Sequence, residues 1–236
     1  MKKLSIVTLT WNQLEKATKP YIKNLYEFTN PDDFELIIID NGSTDGTVEY
    51  LTQLEKEKTN VKVIYNSENL GYSKGNNQGI KIAEGEVIGL FNNDIYFNDK
   101  KWLKKMLDFI KNAENHGLIS PHIFIPSDCS LNQYVEMKYK KFKTEYEKVI
   151  DALFCCVLFQ RELVDEIGLL DENFTPAFFE DNDYSIRVIK SGKYNYVYNG
   201  VYIYHKCSIS SNIISKNSEL LRRNESYYKQ KHGFLV

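Results

Sequence analysis

Four places in this 236-residue chain bring side chains capable of chemistry to the end of an apolar run. Val87 to Phe91 ends in Asn92-Asn93-Asp94, and Phe34 to Ile39 ends in Asp40. The aromatic series Phe174, Phe178, Phe179 leads into Glu180-Asp181, and Val201 to Tyr204 leads into His205. In α/β proteins the carboxyl ends of parallel strands are where ligands gather. A carboxylate there is costly unless it is solvated, paired or metal-bound. Asp94 is therefore a candidate oxygen ligand for Mg²⁺ or Mn²⁺. Asp181, beside an aromatic wall and at a helix start whose dipole favours an anion, is a candidate general base for a substrate hydroxyl. Ordinary uses stand beside these: Asp94 and Asp40 as turn residues, His205 as a capping or solvated ring. Asp183 and Arg187, four apart on one helix, read as a simple surface pair with no catalytic role.

These residues need elements to position them. Leu4 to Leu9 reads as a strand, and Trp11-Asn12-Gln13 turns it into a helix reaching about Phe28. Phe34 to Ile39 is nearly continuous in apolar residues, as a parallel strand covered on both faces should be. In the turn-rich stretch Asp40 to Thr47, Ser43 or Asp45 is placed to cap the next helix. Val61 to Tyr65 is a third strand, a helix follows Gly71, and Val87 to Phe91 is the fourth strand. Alternation of strand and helix at this spacing predicts a parallel α/β sheet. The rhythm then changes. A helix is expected over 101–113, a strand over 119–125, a strand from Ala152 to Phe159, and a short helix stopped by Gly168. Glu180 to Lys190 is a further helix, with Gly192 at its C′ position. Two short strands, 194–198 and 201–204, are expected on either side of Asn199-Gly200, then a Ser-rich segment, 208–218, and a last helix. Residues 127–150 are polar and basic and give no clear pattern. The chain shows no repeat and no linker, so one domain is expected.

Composition narrows the classes. Hydrophobic residues make up 42% and charged residues 26%, with a formal net charge of -2. That balance argues against a general polyanion binder, nucleic acid included. A basic run of Lys138, Lys140, Lys141, Lys143 and Lys148, interleaved with aromatics, leaves peripheral contact with a membrane or an acidic acceptor open. No apolar segment approaches the ~20 residues of a membrane span. Met1-Lys2-Lys3 runs straight into a strand, so cytoplasm is the expected location. The four cysteines suggest neither a disulfide framework nor a zinc site. Cys155 and Cys156 are expected to fill core.

Taken in order, these stretches match a known pattern. Ser5-Ile6-Val7-Thr8-Leu9-Thr10-Trp11-Asn12, Ile37 to Thr47, Asn69 to Gly79 and Phe91-Asn92-Asn93-Asp94 resemble the family-2 inverting glycosyltransferases of the GT-A fold. Gly168 to Phe174, Phe179-Glu180-Asp181-Asn182-Asp183, Arg187 and Tyr204-His205 continue the series. The resemblance covers roughly residues 4 to 210, and Asn-Asn-Asp is similar to a rhamnosyltransferase-like subgroup. It implies a mixed, mostly parallel sheet flanked by helices. It also implies a nucleotide-binding half at 1–98, an acceptor and catalytic half at 99–210, and a tail and helix at 211–236. The donor would be a nucleoside-diphosphate sugar, and the acceptor a saccharide, a lipid-linked glycan or a protein. Leu9, Thr10, Trp11 and Asp40 then fall where nucleobase and ribose bind, and Gly71 and Lys74 near the diphosphate. Asn92, Asn93 and Asp94 fall on the metal-binding D-x-D motif, Asp94 as its carboxylate. His205 matches a position that helps bind metal or diphosphate. Asp181 falls on the base, and Glu180 on its acidic neighbour near the acceptor. Asn92 departs from the Asp of many relatives, which weakens the expected hold on a divalent cation.

Two other enzyme classes fit less well. Nucleotidyltransferases and dinucleotide-binding domains need a Gly-rich turn after the first strand, and Leu9 to Gln13 contains no glycine. A non-catalytic subunit that binds nucleotide-sugar or a partner enzyme is the alternative that Asn92 keeps open.

Overall fold

The structure, a computed structural model, describes residues 3–136, 142–207 and 218–233. Strands β1 (Leu4–Thr10) and β2 (Phe34–Asp40) are buried almost throughout, which is why their sequences run apolar without alternation. With β3 (Val61–Tyr65) and β4 (Val87–Phe91) they form a four-stranded parallel unit, as expected. Helices α1 (Lys19–Phe28), α2 (Thr47–Glu57) and α3 (Tyr72–Ile82) make its crossovers. The second half adds β5 (Ile95–Tyr96), α4 (Trp102–Asn112), β6 (His116–Phe124), α5 (Leu131–Glu136) and β7 (Tyr146–Val149). It continues with β8 (Cys156–Gln160), α6 (Glu162–Ile167), α7 (Glu180–Lys190), β9 (Tyr194–His205) and α8 (Ser218–His232). All strands of the described residues join one mixed sheet in the order β3-β2-β1-β4-β8-β6-β9-β5, with β7 on β9.

Period-two alternation sends successive side chains of each strand to opposite faces. Leu4, Ile6, Phe34, Leu36 and Ile38 pack with Tyr21, Leu25, Trp102 and Met106 on one face. Val7, Ile37, Ile39, Ile88 and Leu90 pack with Ile80, Leu118, Val157, Tyr184 and Val188 on the other. Trp102 stacks on Phe97 with centroids 4.2 Å apart and donates its indole N–H to Thr29. Such a side chain anchors α4, and truncating it to Ala costs about 3–5 kcal/mol.

Three local expectations are corrected. Asn199-Gly200 does not separate two strands: β9 runs unbroken from Tyr194 to His205, with a register shift opposite Pro121 and His122. The Asn-Gly pair is a bulge, held because β9 pairs with β6 on one side and β7 on the other. Gly46 at φ 88° caps α2, and neither Ser43 nor Asp45 does. Asp45 instead accepts from Leu14 N–H at 3.0 Å and from Thr47, tying the first crossover to the second. Asp183 and Arg187 do pair, at 2.9 Å, but Asp183 is wholly buried rather than at the surface. Its other oxygen meets Lys231 at 2.6 Å and His232 at 2.7 Å, so it anchors α8. Residues 208–217 of the Ser-rich segment and Lys138, Lys140 and Lys141 lie outside the described residues. Among the described residues no helix is long and apolar enough to cross a membrane.

Candidate active site

The parallel unit puts three strand ends at one edge, with Thr10 opposite Asp40 and β4 ending at Phe91. Three residues after Phe91 the chain reaches Asp94, and β5 then pairs antiparallel with β9 so that Ile95 lies opposite His205. That pairing brings together groups far apart in sequence: His205 Nε2 is 3.1 Å from Asp94 Oδ1. Burial alone would lower the histidine's pKa, but Asp94 and the Cys155 sulfur, both in contact with the ring, together outweigh it and lift the ring to about 11. Asn92 Nδ2 stands 3.4 Å from the same ring nitrogen. Asn93 donates to Thr10 Oγ1 at 3.3 Å and Thr18 Oγ1 at 3.1 Å, and those two hydroxyls bond each other. Its amide N–H groups are thus engaged in fixing the strand end.

Across the cavity, the segment before α7 runs against Gly71. Tyr72 N–H donates to Pro176 O at 2.7 Å. A Cβ on Gly71 would stand 2.7 Å from that same oxygen, and Gly71 has φ 83°, so only glycine allows the approach. Asn77 fixes the loop further back, accepting from Leu170 N–H and donating to Leu170 O. Phe178 and Phe179 both take positive φ, 79° and 72°, and Phe179 occupies the cap position of α7. Glu180 and Asp181 follow in the first turn. Burial, then the charge of Asp181, pushes Glu180 up to about 8. Burial also raises Asp181, against the favourable N–H of Asn182 at 2.9 Å. The helix start does favour an anion there, but desolvation outweighs it. Glu180 Oε2 is buried without a hydrogen-bond partner.

These groups line one cavity of about 470 Å³. Leu9, Thr10, Trp11, Gly71, Asn92, Asn93, Asp94, Glu180, Asp181 and His205 all contribute to its wall. Asp40 and Lys74 do not. Asp40 lies buried behind Asn41, with Oδ2 taking the Ser43 N–H at 3.1 Å and Oδ1 unpartnered. Lys74 sits in the first turn of α3, exposed to solvent, rather than in a loop over the cavity. Cys155 is a further correction. The strand expected from Ala152 begins four residues later, at Cys156, leaving Cys155 on the cavity wall with Leu153 and Phe154. Of the apolar remainder of the wall, Phe178 belongs to the aromatic series visible in sequence, Ile123 comes from β6, and Ile125, Pro176 and Ala177 are brought there by loops with no signal of their own.

A divalent cation fits the Asp94–His205 pair. Adjacent ligands of an octahedral ion at about 2.1 Å are about 3.0 Å from each other, close to the 3.1 Å between these two atoms. The ring proton between them would have to leave. No group of three or more His, Cys, Asp or Glu side chains among the described residues is placed to hold a metal.

The glycosyl transferase family 2 model matches residues 5–168. The chain belongs to glycosyltransferase family 2. A poly(ribitol-phosphate) beta-glucosyltransferase of Bacillus spizizenii is 35% identical over 104 residues, 43% of this chain and 16% of that protein. TarS of S. aureus, solved with UDP-GlcNAc, superposes with TM-score 0.70 at 21% identity, covering 95% of this chain and 66% of that one. The mannosyltransferase PcManGT of Pyrobaculum calidifontis, solved with GDP-Man and Mn²⁺, gives TM-score 0.74 at 15% identity, covering 97% and 64%. The fold of this member is accordingly GT-A. The chain spans between 25% and 48% of the length of three other curated relatives it matches.

Proposed function

We propose that this glycosyltransferase-family chain is an inverting transferase that moves a sugar from a nucleoside-diphosphate sugar to an acceptor hydroxyl. The observation that carries the reading is the division of one cavity between two acidic ends, Asp94 with His205 and Glu180 with Asp181. Neighbours of the same fold, solved with UDP-GlcNAc and with GDP-Man and Mn²⁺, support the donor class and the divalent cation.

Residues 1–98 would hold the nucleotide, with Leu9, Thr10, Trp11 and Asn41 around the nucleoside. The unpartnered Oδ1 of Asp40 would meet a nucleoside N–H or hydroxyl only if Asn41 moved aside. Asp94 and His205 would hold Mg²⁺ or Mn²⁺, aided by donor phosphates, and the bound cation would offset the charge developing on the departing diphosphate. Residues 99–210 would receive the acceptor. Asp181 would take the proton of its hydroxyl at the carboxylate oxygen not engaged by Asn182, in a single displacement that inverts the anomeric carbon. Glu180 would hold a proton close by and raise the basicity of Asp181 by its charge once it ionises. The apolar wall would exclude water from the reacting centre. Lys74 would have to swing in from solvent to meet the diphosphate. A rhamnosyltransferase-like specificity rests on Asn92-Asn93-Asp94 alone.

The test is a donor panel of UDP-GlcNAc, UDP-glucose, GDP-mannose and dTDP-rhamnose, scored by nucleoside diphosphate release with Mn²⁺, Mg²⁺ or chelator. Metal-dependent release from one donor is expected. No release from any, or full release in chelator, would contradict the reading.

A further inference from the structure

We propose that Asn224 and Arg223, on α8, are positioning residues for Glu180-Asp181, acting through the backbone of residues 175–178. This rests on the reading of Asp181 as the base. It concerns a part of the chain beyond residue 168, where the family match ends.

Asn224 is 1% exposed and has all of its hydrogen-bonding capacity directed at this task. Its Nδ2 donates to Ala177 O at 2.9 Å and to Phe178 O at 3.1 Å. Its Oδ1 accepts from Arg223 Nε at 3.1 Å and Nη2 at 2.9 Å, which fixes the orientation of the carboxamide. The same guanidinium donates to Thr175 O. Three consecutive-region carbonyls are thus held from one helical turn.

What those carbonyls belong to gives the contacts their consequence. Pro176, Ala177 and Phe178 form cavity wall, and Phe178 and Phe179 stand in the left-handed region that bulky residues leave unless held. Phe179 caps α7, and its carbonyl takes the Asp183 N–H at 2.9 Å. The direction of the first turn of α7, and with it the aim of Asp181, therefore follows from how residues 175–178 are held. No residue of α8 lines the cavity, so the action is indirect. The far end of α8 grips the same first turn of α7 through Lys231 and His232 on Asp183, keeping Asn224 in register with the loop.

A base displaced by about 1 Å can lose on the order of 10² in rate while donor binding is untouched. Asn224→Asp keeps the size of the side chain and removes both donors. Arg223→Ala removes an exposed side chain and leaves Asn224 in place, so it tests the idea even if Asn224→Asp does not fold. Arg222→Ala, the neighbouring exposed arginine, is the control. Nucleoside diphosphate release from the best donor of the panel, with Mn²⁺ and water or a simple glycoside as acceptor, gives kcat and donor KM. The expected result is kcat lowered about tenfold or more in Asn224→Asp and about threefold in Arg223→Ala, with donor KM within about twofold and Arg222→Ala unchanged. Unchanged kcat in both variants, or a loss of donor binding that matches the loss of kcat, would overturn the proposal. If those variants keep kcat while Asp181→Asn loses it, only the positioning role fails. If Asp181→Asn itself turns over normally, the base reading fails first.

Discussion

The two acidic ends of the cavity are built in opposite ways. Asp94 sits on the rigid edge of the sheet, nearly buried, with a ring nitrogen 3.1 Å away to balance it. Glu180 and Asp181 sit on a loop-to-helix junction, also buried, and among the described residues no basic side chain pairs with either. The carboxylate at one end thus has a ring nitrogen beside it, while burial raises the pKa of both carboxyls at the other. Under the proposed function the end balanced by His205 is the one that would bind metal, and the desolvated end the one that would accept a proton near neutral pH. The difference lies in surroundings, and each surrounding can be removed by substitution.

The largest expected effect falls on the uncompensated end. Asp181→Asn keeps size and hydrogen bonding but cannot accept a proton, and turnover should fall on the order of 10²–10⁴. A helix-capping role alone would leave turnover near normal and cost roughly 1 kcal/mol or less of stability.

At the compensated end, His205→Ala should raise the Mn²⁺ concentration for half-maximal turnover about 10- to 100-fold, as loss of a supporting metal contact does. An unchanged metal dependence would leave Asp94 and His205 as a purely structural pair.

Glu180→Gln sharpens the comparison through pH. The glutamate's pKa is raised from 4.5 to about 8 in the folded chain. Its protonated form is favoured by folding, so its contribution is fully present below the unfolded value and is lost as pH rises through the folded one. Replacing it by Gln should therefore leave thermal stability similar near pH 4 and raise it progressively between about 4.5 and 8. A melting temperature difference that does not grow with pH would contradict the desolvated state assigned to Glu180.

The smallest effect concerns the seam between the two ends. Gly71→Ala places a methyl 2.7 Å from Pro176 O at a backbone φ of 83°, and should cost about 1–3 kcal/mol, read as a lowered midpoint in urea. An unchanged midpoint would mean that the loop can retreat freely.

This contrast also marks what was legible in the sequence. The sheet edge was legible because β1, β2 and β4 are apolar runs closed by turn residues, and each delivers its polar group within a few positions of the strand end. Asp94 and His205 could be nominated singly, but their meeting depends on β5 pairing with β9, a long-range event with no local signature. The bulge at Asn199-Gly200 reads locally as a turn, and only two flanking partners make it strand. Asp183 looked like a surface residue because its (i, i+4) partner is visible in sequence, whereas Lys231 and His232 are not. Asp40 and Lys74 carry the right chemistry by their place in the motif, yet one is buried behind Asn41 and the other points to solvent.

The most direct measurement is Mn²⁺-dependent binding of the nucleoside diphosphate of the best donor, by titration calorimetry, to Asp94→Ala and Asp181→Asn side by side. The division of labour predicts that Asp181→Asn binds as the parent chain does while failing to turn over, and that Asp94→Ala loses the Mn²⁺-dependent part of binding. Asp94→Ala binding with full Mn²⁺ dependence, or Asp181→Asn losing it, would contradict the assignment of metal to one end of the cavity and proton transfer to the other.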